Sequence, residues 1–311
     1  MKRLCARGTT ADHLRALLDR HEPLWLDLDN TDPEQHALLA DVFHFHPLTL
    51  EDTLDRHTRV KVEEYDGYLF VVIRSMALGE DSPASARSLD VSKICLYVNS
   101  TCLVSVHAGD SGIGDRAEAR TKSDDPGLAA HAICDVAIDD YFPILDRVDD
   151  YVDRLEQTSP QDLAPHDFRE ALRMQSLASA AQRSLLPQQP IFSELARLHG
   201  GVLSHEAQLY FRDVNDHVTR IVESLDPYRD LIGMMSDNTI SRISTRLDYA
   251  TTIFEAIATV TIPFIVISGL FSMNLAGLPL SANRYGFWIV VAAQIAISAM
   301  LFAVLRRRRL L

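Results

Sequence analysis

The sequence predicts an α+β cytoplasmic domain followed by long α-helices and two transmembrane helices. Three observations carry that expectation. Strand-like runs are confined to about the first 110 residues, and helical spacing of apolar residues takes over from about Leu128. Two uncharged apolar runs close the chain: Ala256 to Asn283, then, after Arg284, Tyr285 to Leu305, ending at Arg306, Arg307, Arg308 and Arg309. An uncharged run of about 20 residues is long enough to cross the hydrocarbon core of a bilayer as a helix.

In chain order, short helical patterns are expected at Ala11–Arg20, Pro33–Phe43 and Pro47–Asp55, with an alternating strand at Leu24–Leu28. Val60–Glu64 and Tyr68–Ile73 are β-rich and flank Asp66-Gly67, a hairpin turn signal. Val91–Val98 and Cys102–Val106 form a second hairpin pattern about Asn99-Ser100, and Gly79–Ser88 is a polar loop. Helices are expected over Leu128–Gln157 and Pro165–Leu186, interrupted by Pro187 and Pro190. A helical pattern then runs from about Leu203 to Phe271, with Pro227 and Gly233 as its weak points, because an interior proline removes a backbone hydrogen bond. The expected organisation is an α/β domain at 1–125, acidic helices at 126–202, and a stalk helix at 203–272 whose last part, about 252–272, is the first span. An external loop at 273–284, a second span at 285–305 and a basic tail at 306–311 complete it.

Arginine clusters beside a span tend to stay in the cytoplasm, so Arg306–Arg309 predicts a cytoplasmic C-terminus. Two spans return the chain to the same side, which makes both termini cytoplasmic and the protein a multi-pass component of the cell (inner) membrane. No apolar stretch follows Met1-Lys2-Arg3, so no signal peptide is expected. Cys5, Cys95, Cys102 and Cys134 have no paired spacing, and Cys95 and Cys102 lie in apolar strand patterns that make them small core residues in a reducing compartment. The net charge is −13, which argues against a nucleic-acid partner. Asp139, Asp140, Asp146, Asp149, Asp150, Asp153 and Glu156 concentrate the acid, as a solvated helix face or a surface that attracts cations.

Two spans in one chain cannot enclose a polar path, so conduction requires several copies around an axis. Stepping back from Ser272 by three and four residues gives Gly269, Ile265, Ile262, Ala258, Glu255, Thr251, Asp248, Ser244, Ser241 and Asp237. This is a heptad seam, but most of it is small or polar where a coiled coil would be apolar. Such a stripe suits helices around a hydrated channel, with Ile262 and Ile265 as an apolar constriction that gates by dewetting. Glu255 has two readings: a group facing a pathway, or an interfacial carboxylate paired with Arg246 or a neighbouring subunit. The outer mouth is Ser272-Met273-Asn274, where the Asn274 amide oxygen could accept hydrogen bonds from the water shell of a cation. A helix-terminal asparagine is the other reading. His44, His46 and His57 are a weak candidate for a cytosolic metal site. Gly112-x-Gly114 lacks the third glycine of a dinucleotide loop, and no catalytic constellation is evident, so neither an enzyme nor an ATP-driven pump is expected.

The sequence Phe271-Ser272-Met273-Asn274 resembles the Gly-Met-Asn motif that ends the first span in the CorA family of divalent metal ion transporters. The resemblance extends to His46-Pro47-Leu48-Thr49-Leu50-Glu51-Asp52, Lys61–Tyr65, Tyr68–Val72, Tyr210–His217, Pro263, Tyr285-Gly286-Phe287-Trp288 and the terminal arginines, and so covers nearly the whole chain. The loop Asn274–Pro279 looks closest to the zinc-transporting (ZntB-like) branch. The resemblance implies a funnel-shaped homopentamer whose five first spans line the pore. It implies that Asn274 binds the hydrated ion, that Gly269 lines the pore, that Asp237 holds regulatory metal between subunits, and that Arg306–Arg309 form a basic collar. Ser272 stands where the motif has glycine, and Thr251 and Glu255 stand near positions that carry bulky apolar gates in magnesium-transporting relatives.

The pore candidates offer only oxygen ligands, since no His or Cys follows His217. Oxygen suits Mg2+, whereas Zn2+ sites mostly use Cys and His. If ions pass hydrated, the lining discriminates little, and the loop resemblance turns the expectation slightly to Zn2+, with Mg2+, Co2+ and Ni2+ as further cargo candidates and no tightly bound cofactor. Glu255 and Asp248 could add proton coupling. The alternatives are a magnesium/cobalt channel of the same family and, in another class, a non-conducting membrane-anchored metal sensor or scaffold.

Overall fold

The computed structural model describes residues 3–5, 11–79, 89–108, 112–121, 123–157, 165–198, 201–273 and 283–307, and within the helices leaves out the side chains of 234–246 and 305–307, among others. The chain divides into two units, Met1–Ser236 and Asp237–Leu311.

The first unit is built on a six-stranded sheet. Its strands are β1 (Arg3–Cys5), β2 (Leu24–Asp29), β3 (Lys61–Tyr65), β4 (Tyr68–Leu78), β5 (Leu89–Val98) and β6 (Cys102–His107), in the order β1-β2-β6-β5-β4-β3. The β3–β4 and β5–β6 hairpins stand where the sequence predicts them. Gly67, at φ 84°, supplies the left-handed residue of the first turn. Asn99 closes the second, its Oδ1 accepting from the Thr101 and Cys102 amides. β4 runs five residues past its expected end at Ile73, pairing with β5 through Leu78↔Leu89. β1 and the parallel pairing of β2 with both β1 and β6 had no signature in the sequence.

One face of the sheet packs on α1 (Ala11–Asp19), α2 (Pro33–Asp41) and α3 (Pro47–Leu54), around buried Leu26, Leu39, Phe70 and Tyr97. The other packs on α4 (Ile113–Arg120), α5 (Pro126–Asp139), α6 (Phe142–Gln157) and α7 (Pro165–Leu185), with Trp25, Val71 and Ile94 in the shared core. A 3-10 turn at Leu186–Gln188 leads into α8 (Gln189–Leu195) at the point where Pro187 and Pro190 predict an interruption. The expected helix over Leu128–Gln157 is two helices, α5 and α6, separated at Asp140-Tyr141. Cys95, Cys102 and Cys134 are buried thiols, and burial pushes Cys95 and Cys102 up to about 11. Protonated at neutral pH, they serve as core residues.

The helix α9 (His205–Ser272) is continuous across Pro227 and Gly233, and its first part belongs to this unit. Gly127 and Gly233 sit where other helices approach it. A Cβ on Gly127 would lie 3.0 Å from the Ala207 Cβ, and one on Gly233 would lie 3.1 Å from Gln175 Nε2. The acidic face is solvated in part: Asp146, Asp150 and Asp153 are exposed, while others of its carboxylates are paired. Arg116 holds Asp140 through two hydrogen bonds, Arg120 bridges Asp135 and Asp139, and the Tyr228 hydroxyl donates to Asp149. The reason is tertiary: α4 and α9 bring donors onto a face that α5 and α6 would otherwise expose.

Candidate functional site

The second unit holds the end of α9 and the helix α10 (Gly286–Arg307). Leu247–Ser272, 26 residues, and Gly286–Val304, 19 residues, are long and apolar enough to cross a membrane. At 1.5 Å per residue they extend about 39 Å and about 29 Å, against a hydrocarbon core of about 30 Å. Asn283 caps α10, its Oδ1 accepting from the Tyr285 amide at 3.0 Å and its carbonyl from Gly286 at 2.9 Å. Tyr285, Phe287 and Trp288 are exposed at the start of the second span, where amphipathic aromatic rings suit the membrane–water boundary.

Among the described residues, one side chain links the two spans by hydrogen bonds. Gln294 is 4% exposed, and its amide donates to the Ser268 hydroxyl and to the Phe264 carbonyl. Sequence reasoning passed over this residue. Its signal was available: a lone amide in an otherwise apolar span requires a partner, because lipid supplies none.

The α10-facing side of α9 comprises buried Ala256 and half-buried Val260, Pro263 and Ile267. The stripe singled out from sequence lies elsewhere. Asp248, Thr251, Glu255, Ile262, Ile265, Gly269 and Ser272 are all exposed and Ala258 is half-exposed. With about 100° of rotation per residue, the two sets of positions fall on average on opposite sides of α9. Ile262 and Ile265 are 56% and 62% exposed, and a Cβ on Gly269 would meet nothing within 4 Å.

Four hydroxyls along this span, those of Thr251 and Ser272 on the stripe and of Thr252 and Thr259 beside it, bond back to their own helix. Thr251, Thr252 and Thr259 donate to the carbonyls of Leu247, Asp248 and Glu255, and Ser272 donates to that of Gly269. Each hydroxyl spends its proton on its own helix and keeps acceptor lone pairs for whatever lies outside. An acceptor-rich surface suits a cation or its water shell.

Met273 is exposed. Asn274 lies outside the described residues, as do Arg308 and Arg309 and the side chains of Asp237, Arg306 and Arg307. The histidines at the front of the sheet serve the fold. His46 caps α3 by accepting from the Leu48 amide, His44 bonds the Ala40 carbonyl, and the His57 amide donates to Asp55. They do not form a ligand cluster among the described residues.

A family model described as "CorA-like Mg2+ transporter protein" matches residues 21–307. The chain belongs to that family. It is therefore a membrane protein of a divalent cation transporter family. The cobalt/magnesium transport protein CorA of Thermotoga maritima is 24% identical, with 97% of this chain and 88% of that protein covered. The zinc transport protein ZntB of Yersinia pseudotuberculosis is 23% identical, covering 91% of this chain and 86% of that one. Among solved structures, the CorA magnesium transporter of Methanocaldococcus jannaschii superposes with a TM-score of 0.70 at 19% identity, over 91% of this chain and 90% of that chain, which shows a shared fold. Relatives named for magnesium and cobalt and relatives named for zinc match at nearly the same identity, so the zinc-transporting branch is not singled out.

Proposed function

We propose that the chain carries a divalent metal cation across the membrane through an assembly of identical copies, five in number as the family resemblance implies. The first span of each copy lines the path and both termini lie in the cytoplasm. The observation that carries this reading is the uncovered polar stripe from Asp248 to Ser272, opposite the side that α10 covers. In this reading Asn274 receives the hydrated ion at the outer mouth, beside Ser272 and Met273. Gly269 leaves room for it, and Ile262 and Ile265 form the apolar constriction. Ala258, Thr251 and Asp248 continue the path inward. Asp237 holds regulatory metal, and Arg306–Arg309 form the basic collar.

Zinc is the proposed cargo, on the likeness of the loop after Asn274 to the zinc-transporting branch. A magnesium/cobalt reading has its own support in the oxygen-only donor set of the stripe, since Mg2+ prefers oxygen and keeps its waters. Glu255, exposed at the cytoplasmic end of the span, is the group proposed to couple ion movement to protons.

The experiment is uptake by reconstituted protein, with Zn2+, Mg2+, Co2+ and Ni2+ measured side by side. Uptake lost in Asn274→Ala supports conduction through this mouth. The order of fluxes decides between zinc and magnesium. Absence of flux for all four ions leaves a membrane-anchored sensor or scaffold. Glu255→Gln with an unchanged pH dependence removes proton coupling.

A further inference from the structure

The soluble unit contains a second place where a metal could sit, distinct from the membrane stripe. On α5, His131, Asp135 and Asp139 recur every four residues and therefore share one helix face. On α9, Asp213 and His217 form another such pair. The two helices lie close along this line: Gly127 faces Ala207, the His131 ring stands 5.1 Å from Tyr210 and 5.7 Å from Phe211, and Phe142 of α6 meets the His217 ring edge-on. Ligand pairs three or four residues apart on one helix face are a common way for helices to build a metal site.

One ligand atom each from Asp135, Asp139 and His217 lies within 4.8 Å of the others. Nδ1 of His217 is buried with no hydrogen-bond partner, and its Nε2 is 3.8 Å from Asp213. The position between the carboxylates is already taken by a cation. Arg120 Nη1 reaches Asp135 at 2.5 Å and Asp139 at 2.7 Å. Arg120 also lines an adjoining cavity of about 300 Å³, so its side chain has somewhere to go.

We propose that Asp135, Asp139 and His217 form a binding site for a zinc-class divalent cation in the soluble unit, with the Arg120 guanidinium as the internal cation that the metal displaces. Two carboxylate oxygens and one imidazole nitrogen, with water as the fourth ligand, make a tetrahedral set suited to Zn2+. Bound at about 2.0 Å, such ligands stand about 3.3 Å apart, so the three atoms need to close by about 1.5 Å or less, within the reach of side-chain rotation. The imidazole excludes Mg2+ as the preferred ion, since Mg2+ selects oxygen. Displacing Arg120 removes one of the two arginine links between α4 and α5, the other being Arg116 to Asp140, and so couples metal occupancy to the packing of α4.

The test is equilibrium binding of Zn2+ to the full chain in detergent, read by competition with a chromophoric chelator and by X-ray absorption at the zinc edge. Binding is measured whether or not the chain conducts, so failure here and failure of transport are separate results. No histidine follows His217, so imidazole bound to zinc reports the soluble unit and not the spans. Zn2+ binds the wild-type chain in excess Mg2+ with an imidazole signature. His217→Gln removes that signature and weakens binding about tenfold or more, as does Asp139→Asn. Arg120→Gln, by removing the competing cation, tightens binding about tenfold, a gain that a misfolded variant would not give. An imidazole signature that survives His217→Gln, affinity unaltered in Arg120→Gln, or no binding of Zn2+ at all overturns the site.

Discussion

The side-chain amide of Gln294 in the second span donates to the Ser268 hydroxyl in the first at 2.9 Å. Together with the bond from the same amide to the Phe264 carbonyl it joins α9 to α10, on the flank of α9 between its covered side and the proposed path. Gln294→Leu keeps the volume and removes the donor. Interhelical hydrogen bonds of this kind contribute about 0.6–2 kcal/mol. The variant is expected to lose about 1 kcal/mol in detergent unfolding while the cation specificity of any flux stays as in wild type. An altered order of fluxes among Zn2+, Mg2+, Co2+ and Ni2+ would place Gln294 on the path.

Ile262→Ser replaces an exposed branched apolar side chain on the stripe with a small polar one. An apolar ring resists wetting, so a hydroxyl there favours a water-filled constriction. Divalent flux is expected to rise several-fold and selectivity against monovalent ions to fall. Unchanged flux and selectivity would show that this position does not gate.

Gln188 is fully buried, and both ends of its amide bond the backbone of Arg74. Its Oε1 accepts from the Arg74 amide at 2.9 Å and its Nε2 donates to the Arg74 carbonyl at 3.1 Å. The β3–β4 ladder ends at Lys61↔Val72, so Gln188 takes over the open edge of β4. Gln188→Leu leaves that amide buried without a partner, and a cost of about 2–3 kcal/mol is expected from the lost and unmade bonds. Urea unfolding followed by circular dichroism measures it, and a change below about 0.5 kcal/mol would mean that water replaces the glutamine.

Burial lowers the pKa of His36, against a smaller raising effect from a backbone hydrogen bond with Leu50, and its Nε2 is buried without a partner. The folded pKa is thus below the unfolded value of about 6.5. As pH falls below about 6.5 the unfolded chain takes up the proton first, so stability is lost down to the lowered folded value and not further. His131 is lowered by burial too and adds in the same direction. His36→Gln is expected to flatten the decline in urea-unfolding stability between about pH 7 and pH 5. Parallel profiles for the variant and wild type would assign the pH dependence to other groups.

Much of the architecture was legible because it is written in local patterns. The β-rich runs Tyr68–Ile73 and Val91–Val98, the Asp66-Gly67 turn and the proline break before α8 each act within a few residues. β1 was missed because three residues, Arg3–Cys5, carry no period. α4 was missed because Ile113, Gly114 and Ala117 give a short helix only a faint buried face. The histidines His44 and His46 drew notice for their spacing, and one ring nitrogen of each, Nδ1, proves to be engaged by the backbone. Asp135 drew no notice and Asp139 was read only as part of an acidic face, yet both lie beside His217.

By itself the sequence determined that two apolar helices end the chain, that arginines close it, and that one stripe of the first span is small and polar, because hydropathy and period belong to a single segment. Only the tertiary structure decided which side of that span α10 covers, what partner Gln294 finds, and that Arg120 and His217 share the carboxylates of α5. Those pairings depend on how helices from distant parts of the chain align when they pack. A side chain's direction along its own helix does not reveal what the neighbouring helix brings to meet it.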